Sequence, residues 1–569
     1  MKRRIPIGIE FYKEMIDKDY YYIDKTLLIK EILDSGAKVS LLTRPRRFGK
    51  TLAVTMLKDF FEDERDQDGN KIDNSHYFKG KKISNCGDIY LSKQCRYPVI
   101  NLTLKSANQP DYEMAYGVLK KSIIEEFGRH FYILQGKKLR EDEIEKFQEI
   151  LKGEAKPDDY ATALAFLSQC LKKYHNSNVV ILIDEYDVPL ENAYFRGFYN
   201  QIVDFIRSLF ESVLKTNNAL EFAVITGCLR ISKESIFTGL NNLEVVSLLN
   251  KNYAEYFGFT SSEVEQMLQY YKLEKKVQEL KNWYDGYCFG DIEIYNPWSV
   301  INYIKTAFID SASFPKPYWS NTSSNSIVKD LIEGANQDTK KEIENLLAGG
   351  VIEKPVHEDI TYDDIHKSGD NLWNFLFFTG YLKKVGERFE VNQLYLKMAI
   401  PNQEVYYIYE NTIFHWFDQK VKAMDRTELY QAIVEGNCPV VETILREQLK
   451  KSISFYDAAE QFYHGFLVGM LSGLGEYVLQ SNRETGDGRA DIIMTPADER
   501  QPVLIFELKR AERFTQMQER CQAALKQIKD RHYDAESRDE GYKRFIKYGI
   551  CFCKKSCMVA AVIESPDNM

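Results

Sequence analysis

The segment Arg44-Pro45-Arg46-Arg47-Phe48-Gly49-Lys50-Thr51 carries the residue types that hold phosphate. It follows an apolar run, Val39–Thr43, and precedes a helical pattern, Leu52–Phe61. In that setting the backbone amides of Arg46, Arg47, Phe48 and Gly49 face an anion together with a helix N-terminus, where unsatisfied N–H groups and aligned peptide dipoles meet. Lys50 would reach the β- and γ-phosphate oxygens and Thr51 would offer its hydroxyl to Mg²⁺. Arg44 stands where the pattern G-x-x-x-x-G-K-[ST] begins with glycine, so backbone strain is expected there. Taken alone, the segment could be a basic turn with an incidental Gly-Lys-Thr.

A second element decides between the two. Five aliphatic residues, Val179–Ile183, run directly into Asp184-Glu185. A carboxylate at the end of a buried strand can hold a Mg²⁺ shell, and an adjacent glutamate can deprotonate the attacking water. Those roles fall to Asp184 and Glu185. A third strand, Phe222–Ile225, ends in Thr226, placed to sense a γ-phosphate, and Arg230 beyond it could supply charge to a transition state. These residues together describe one Mg-ATP site.

A different chemistry is spelled near the C-terminus. Gly488–Met494 and Val503–Lys509 read as two adjacent strands joined by a turn-rich stretch. Strand side chains alternate with period two, so Glu507 and Lys509 share a face, and pairing can bring Asp491 beside them. Oxygen ligands from Asp491 and Glu507 suit Mg²⁺ or Mn²⁺, which would polarise a phosphodiester, while Lys509 orients water. The bland alternative is a solvated Glu/Lys pair on an edge strand.

Tyr22-Ile-Asp-Lys-Thr26, Arg44–Thr51, Ile183-Asp-Glu-Tyr-Asp187, Arg230-Ile-Ser-Lys233 and Tyr284-Asp-Gly-Tyr287 followed by Tyr295-Asn-Pro-Trp-Ser299 give the chain a family likeness. It resembles the predicted AAA-type ATPases of bacteria and archaea that carry a C-terminal PD-(D/E)xK nuclease domain. In that family Arg44 is no departure. The resemblance implies ATP with Mg²⁺, and Mg²⁺ or Mn²⁺ at the nuclease site. It also implies further acidic ligands upstream of Asp491, of which Glu484 is a better candidate than Glu476, with Glu460 and His464 on the helix before them. Gln527, on a helix over Gln522–Tyr533, is expected to face the site, and Ala490 replaces the signature proline. The implied partners are ATP and a nucleic acid, DNA ahead of RNA, and a homo-oligomer is compatible. The competing reading is a nucleotide-switched scaffold ATPase whose nuclease-like module does not cleave.

The expected fold class is α/β. A P-loop parallel-sheet ATPase domain spans 1–250, on the strands Val39–Thr43, Pro98–Leu102, Val179–Asp184 and Phe222–Thr226. A mostly helical, lid-like or winged-helix-like region spans 251–437, and an α/β restriction-endonuclease-like domain spans 438–569. Asn296-Pro297 marks one helix start clearly, as a cap followed by proline at the first helical position. With 569 residues the chain exceeds what one core supports. No apolar run is long enough for a bilayer and no leader is evident, so a cytoplasmic protein is expected. The ten cysteines read as reduced thiols, with Cys551, Cys553 and Cys557 close enough to raise the question of a metal. Net charge is −9, and residues 480–547 hold 14 Lys/Arg against 13 Asp/Glu, so tight polyanion binding has no basic footprint there.

Overall fold

The computed structural model describes residues 2–229, 236–237, 241–319, 328–329, 336–358, 362, 368–422, 425–451, 460–485 and 488–565. The chain divides into two compact units: Met1–Ile327 with Val351–Ile408, and Val328–Gly350 with Tyr409–Met569. Residues 251–437 are therefore shared between the two.

The first unit is built on a parallel sheet of β1 (Val39–Thr43), β2 (Val99–Thr103), β3 (Val179–Asp184), β4 (Leu220–Gly227) and β5 (Leu243–Val246) in the order β2-β3-β4-β1-β5. Every residue of β1 and β3 is buried, because helices such as Lys50–Phe61, Tyr112–Arg129 and Tyr199–Leu214 pack against the sheet. The order puts β4 between the strand that leads into the phosphate loop and the strand that ends in Asp184. Thr226 thus lies between the two halves of the site. β5, which the sequence reading did not anticipate, extends the sheet beside β1.

Beyond β5 the described residues of the first unit are mostly helical, with two small antiparallel sheets. One joins β6 (Phe259–Thr260), β7 (Tyr287–Phe289) and β8 (Ile292–Tyr295); the other joins β9 (Ile352–Pro355), β10 (Lys383–Glu390) and β11 (Gln393–Ala399). The helix Pro297–Ile309 starts as expected, with Asn296 Oδ1 accepting from the N–H groups of Trp298 at 3.0 Å and Ser299 at 3.4 Å. Ser299 donates in turn to both carboxylate oxygens of buried Glu404, at 2.9 and 2.7 Å, and Trp319 N–H donates to the same group at 2.7 Å. Burial still pushes Glu404 up to about 7.

The sign of that shift makes a prediction. The folded chain keeps a proton that the unfolded chain releases, so stability falls as pH rises from the unfolded value towards 7. Glu404→Gln should remove about 2 kcal/mol of the loss between pH 5 and 7.5. Urea melts of both proteins at the two pH values measure it, and parallel pH profiles would show the group to be silent.

The second unit centres on a sheet of β12 (Tyr477–Thr485), β13 (Gly488–Pro496), β14 (Val503–Arg510), β15 (Phe545–Cys553) and β16 (Ser556–Glu564), in that order. All neighbours are antiparallel except β14 and β15, and a parallel pair needs a long crossover. The helix Met517–Asp530 lies in that crossover. Alternation along β14 divides the core. Leu504, Phe506 and Leu508 face the helices Thr427–Glu435, Cys438–Lys451 and Glu460–Leu471, while Val503 and Ile505 face the crossover helix. That helix comes so near β15 that a Cβ on Gly549 would lie 2.4 Å from the Cys521 carbonyl. β12 was not anticipated from the sequence. Cys551 and Cys553 pack with Cys521, whereas Cys557 belongs to the core on the other face, so the three thiols do not converge on one ion.

No helix among the described residues is long and apolar enough to cross a membrane.

Candidate functional site

Between β1 and the helix Lys50–Phe61 the chain makes a tight turn whose left-handed positions are Arg47, φ 70°, and Gly49, φ 84°. Strain expected at Arg44 is absent, since Arg44 is not among the residues with positive φ. Its side chain has another task. Fully buried, the guanidinium donates to the carbonyls of Thr43 at 2.7 Å, Val246 at 3.2 Å and Ser247 at 3.0 Å, and lies over the rings of Phe257 and Phe289. Where the general pattern has a glycine, this chain ties its phosphate loop to the end of β5.

The two predicted halves meet. Thr51 Oγ1 donates to Asp184 Oδ2 at 2.7 Å, and Thr226 Oγ1 donates to the other oxygen at 2.5 Å. Glu185 takes a left-handed backbone, φ 54°, and its carboxylate lies 3.4 Å from Lys50 Nζ. Lys50 also donates to the carbonyls of Arg44 and Pro45, both at 3.1 Å. Burial works to lower its pKa, but Cys228, Glu185, Asp187 and Asp184 together hold it above the ordinary lysine value. Among the described residues, Glu185, Asp187 and Cys228 are the group that could gather round a metal, yet the Lys50 ammonium touches two of the three. The hydroxyl and carboxylate of Thr51 and Asp184 are the better-suited pair for Mg²⁺.

Asp187, only the end of a motif in the sequence, has a structural role of its own. It is buried, accepts from the N–H groups of Cys228 at 2.7 Å and Leu229 at 3.1 Å, and is pushed up to about 6 by burial and by Glu185. It ties the Asp184-Glu185 turn to the segment leaving β4. Arg230, two residues beyond Cys228, lies outside the described residues. The other two loop arginines are both engaged. Arg46 forms an ion pair with Glu191, and Arg47 lies 4.6 Å from the centre of the Trp298 ring. Phe48 packs against Tyr287 and Phe289.

A cavity of about 330 Å³ opens beside the loop. Its lining includes Arg46, Gly49, Lys50, Thr51 and Glu185 together with Tyr21, Tyr22, Tyr256, Phe259 and Trp298. Phosphate-binding side chains and aromatic surface in one cavity suit a nucleotide. Tyr22 and Trp298 stand out in the sequence as parts of conspicuous motifs, but only folding brings them to the loop.

In the second unit, β13 and β14 pair over Ile492–Met494 and Leu504–Phe506 and then part. Asp491 sits at the parting, where its Oδ2 accepts the Leu508 N–H at 2.8 Å. Lys509 Nζ donates to Glu507 Oε1 at 2.8 Å, and Glu507 Oε2 is buried with no hydrogen-bond partner among the described residues. Burial pushes Glu507 up to about 7, with the Asp491 charge adding and Lys509 opposing. An orphaned carboxylate oxygen beside a second carboxylate fits a divalent ion. His464 Nε2 lies 3.1 Å from the main-chain oxygen of Asp491 and 3.1 Å from Ser481 Oγ, so it braces strands. Gln527 donates to the hydroxyl of buried Tyr533, which feels the charges of Glu507, Asp491 and Lys509. Register places Glu484 opposite Arg489, near Asp491, but its side chain and that of Glu460 lie outside the described residues. Glu476 precedes the far end of β12, away from Asp491.

Residues 6–237 match the family described as predicted AAA-ATPase, and residues 458–562 match the PD-(D/E)XK nuclease superfamily. The chain joins an AAA-ATPase-like domain to a PD-(D/E)XK nuclease-like domain. Along nearly its whole length it is similar to a protein from the vnfD 5′ region of Azotobacter chroococcum mcd 1, described as uncharacterised, with 25% identity over 99% of each chain. Among solved structures it matches the Walker-type ATPase PABY2304 of Pyrococcus abyssi at 13% identity and a TM-score of 0.34, covering 68% of this chain and 96% of that one. The AAA-ATPase-like match stops at Phe237, so β5, on whose last carbonyl Arg44 is anchored, follows the matched span. The nuclease-like match contains Asp491, Glu507 and Lys509, with all five strands of their sheet up to Val562.

Proposed function

We propose that the chain binds and hydrolyses ATP at the Lys50–Thr51–Asp184–Glu185 site and cleaves nucleic-acid phosphodiesters, DNA ahead of RNA, at Asp491, Glu507 and Lys509. The observation that carries the first half is the 2.7 Å contact between Thr51 and Asp184, which joins segments 133 residues apart. Thr51 and Asp184 would hold Mg²⁺, which would supply positive charge against the β- and γ-phosphates. Lys50 leaves the Arg44 and Pro45 carbonyls for phosphate oxygens, the loop amides hold the remaining oxygens, and Glu185 takes the proton of the attacking water.

The second half is supported by the unpartnered Glu507 oxygen next to Asp491. Glu507 and Asp491 would hold a divalent ion, which would supply Lewis-acid polarisation of the phosphodiester and a lowered pKa for water. Lys509 orients that water, and Asp491 stays fixed by the Leu508 N–H.

Glu185→Gln tests the division of labour in the ATPase half. The amide keeps the shape and loses the base, so binding of a fluorescent ATP analogue should stay within about threefold while turnover falls about 100-fold or more. Phosphate release and analogue titration on the same preparations measure both. Turnover surviving intact in the variant assigns the base elsewhere.

A further inference from the structure

Besides Arg44, which anchors it, the phosphate loop carries three cationic side chains whose surroundings differ. Lys50 lies against Glu185, on the side where β- and γ-phosphates belong. Arg47 turns to Trp298. Arg46 pairs with Glu191 on the helix Val188–Arg196 and feels the charges of Cys228, Tyr362 and Asp187. Glu191 is itself mostly buried and takes a second hydrogen bond from Tyr362, whose side chain is fully buried among Tyr194, Tyr199 and Phe375. Arg46 also lines the cavity with Lys50, Thr51 and Glu185. A guanidinium fixed at that place, fully charged at every working pH, is built to meet a phosphate bidentately.

We infer that Arg46 is a catalytic residue of ATP hydrolysis, supplying positive charge to the γ-phosphoryl group in the transition state from within the same chain. The inference rests on the ATPase reading above. In the step itself the water oxygen bonds to the γ-phosphorus as that atom's bond to the β–γ bridging oxygen breaks. The water proton leaves through Glu185, and ADP and inorganic phosphate are the products. Charge shifts onto oxygens at the Arg46 side as this happens, and Arg46 exchanges the Glu191 carboxylate for them. Glu191 keeps the Tyr362 hydroxyl, so its buried charge is not abandoned. Because the arginine is carried by the loop that holds the phosphates, no second copy of the chain is needed to complete the site.

The experiment uses the full-length chain as wild type, Arg46→Ala, Arg46→Lys, Arg230→Ala and Lys50→Ala, with three readouts: affinity for a fluorescent ATP analogue, steady-state phosphate release, and capture of ADP with aluminium fluoride. Arg46→Ala should bind the analogue within about threefold of wild type, lose about a thousandfold in kcat and fail to capture ADP with aluminium fluoride, an arginine of this kind being worth that much in turnover. Arg46→Lys should recover little, since an ammonium cannot reproduce the fork. An equimolar mixture of Arg46→Ala and Glu185→Gln should stay inactive. Recovery in the mixture overturns the same-chain assignment. So does Arg46→Ala turnover within tenfold of wild type, a loss confined to binding, or a loss in Arg230→Ala that Arg46→Ala does not share. A wild type that binds the analogue without turning it over also overturns the inference. If Lys50→Ala binds the analogue like wild type, it is the ATPase reading that fails, and that outcome is separately visible.

Discussion

Lys50→Ala is expected to weaken binding of a fluorescent ATP analogue by about 1.5–3 kcal/mol, the range for hydrogen bonds to charged groups, which is roughly tenfold to 150-fold in affinity. The expectation follows from position. Lys50 is 3% exposed at the first residue of its helix, and its ammonium donates to two loop carbonyls that have no claim on a full positive charge. Phosphate oxygens are stronger acceptors at the same place. The variant carries a risk of its own, since Glu185 and Asp187 lose the cation that faces them. A melting curve separates the two effects, because a folded variant with unchanged affinity contradicts the site. Thr51→Val is the companion. It should bind as wild type in EDTA and lose only the increment that Mg²⁺ adds, as the hydroxyl otherwise spends itself on Asp184.

The second large effect is expected at Asp491. Both Asp491→Ala and Asp491→Asn should lower Mg²⁺- or Mn²⁺-dependent cleavage of nucleic acid by about 100-fold or more, beyond what loss of an outer partner of a metal site costs. The pair of variants matters because Asp491 also accepts the Leu508 N–H. Asparagine keeps an acceptor for that bond and removes the charge. Activity retained by Asp491→Asn and lost by Asp491→Ala would make the residue a strand brace. Single-stranded DNA, duplex DNA and RNA are the substrates to compare, and Mn²⁺ binding followed directly should weaken in both variants and in Glu507→Gln. Loss of cleavage with Mn²⁺ affinity intact would place the ion elsewhere.

Much of this was legible in the residues. Parallel strands buried on both faces show as short aliphatic runs, which is why β1 and β3 stand where the runs Val39–Thr43 and Val179–Asp184 do. Period-two alternation put Glu507 and Lys509 on one face, and they are hydrogen-bonded. β5 and β12 leave a weak strand signal: β5 is only four residues and largely half-buried, and β12 runs through the polar sequence Gln480, Ser481, Asn482 and Arg483. Contacts made only by folding left no local trace. Arg46 meets Glu191 145 residues away, and Asp187 meets the amides that follow Gly227. Arg44 misled in a specific way: a motif records which backbone shape is usual, and here a side chain anchors the loop with the left-handed positions displaced to Arg47 and Gly49.

The interleaving of the two units has a consequence for synthesis. The helix Gln337–Leu347 belongs to the second unit but is made before Val351–Ile408, which belongs to the first. Its Ile343, Leu346 and Leu347 are buried in the finished protein. When that helix leaves the ribosome, the strands of its own unit are still unmade, and at roughly 5–20 residues per second the remaining stretch takes on the order of 10–40 s to translate. For that interval the helix waits for most of its own unit, while residues of the first unit are still arriving behind it. A chain expressed only as far as residue 437 would carry this helix without most of its unit, and one begun at residue 438 would lack it, so neither piece would hold the second unit whole.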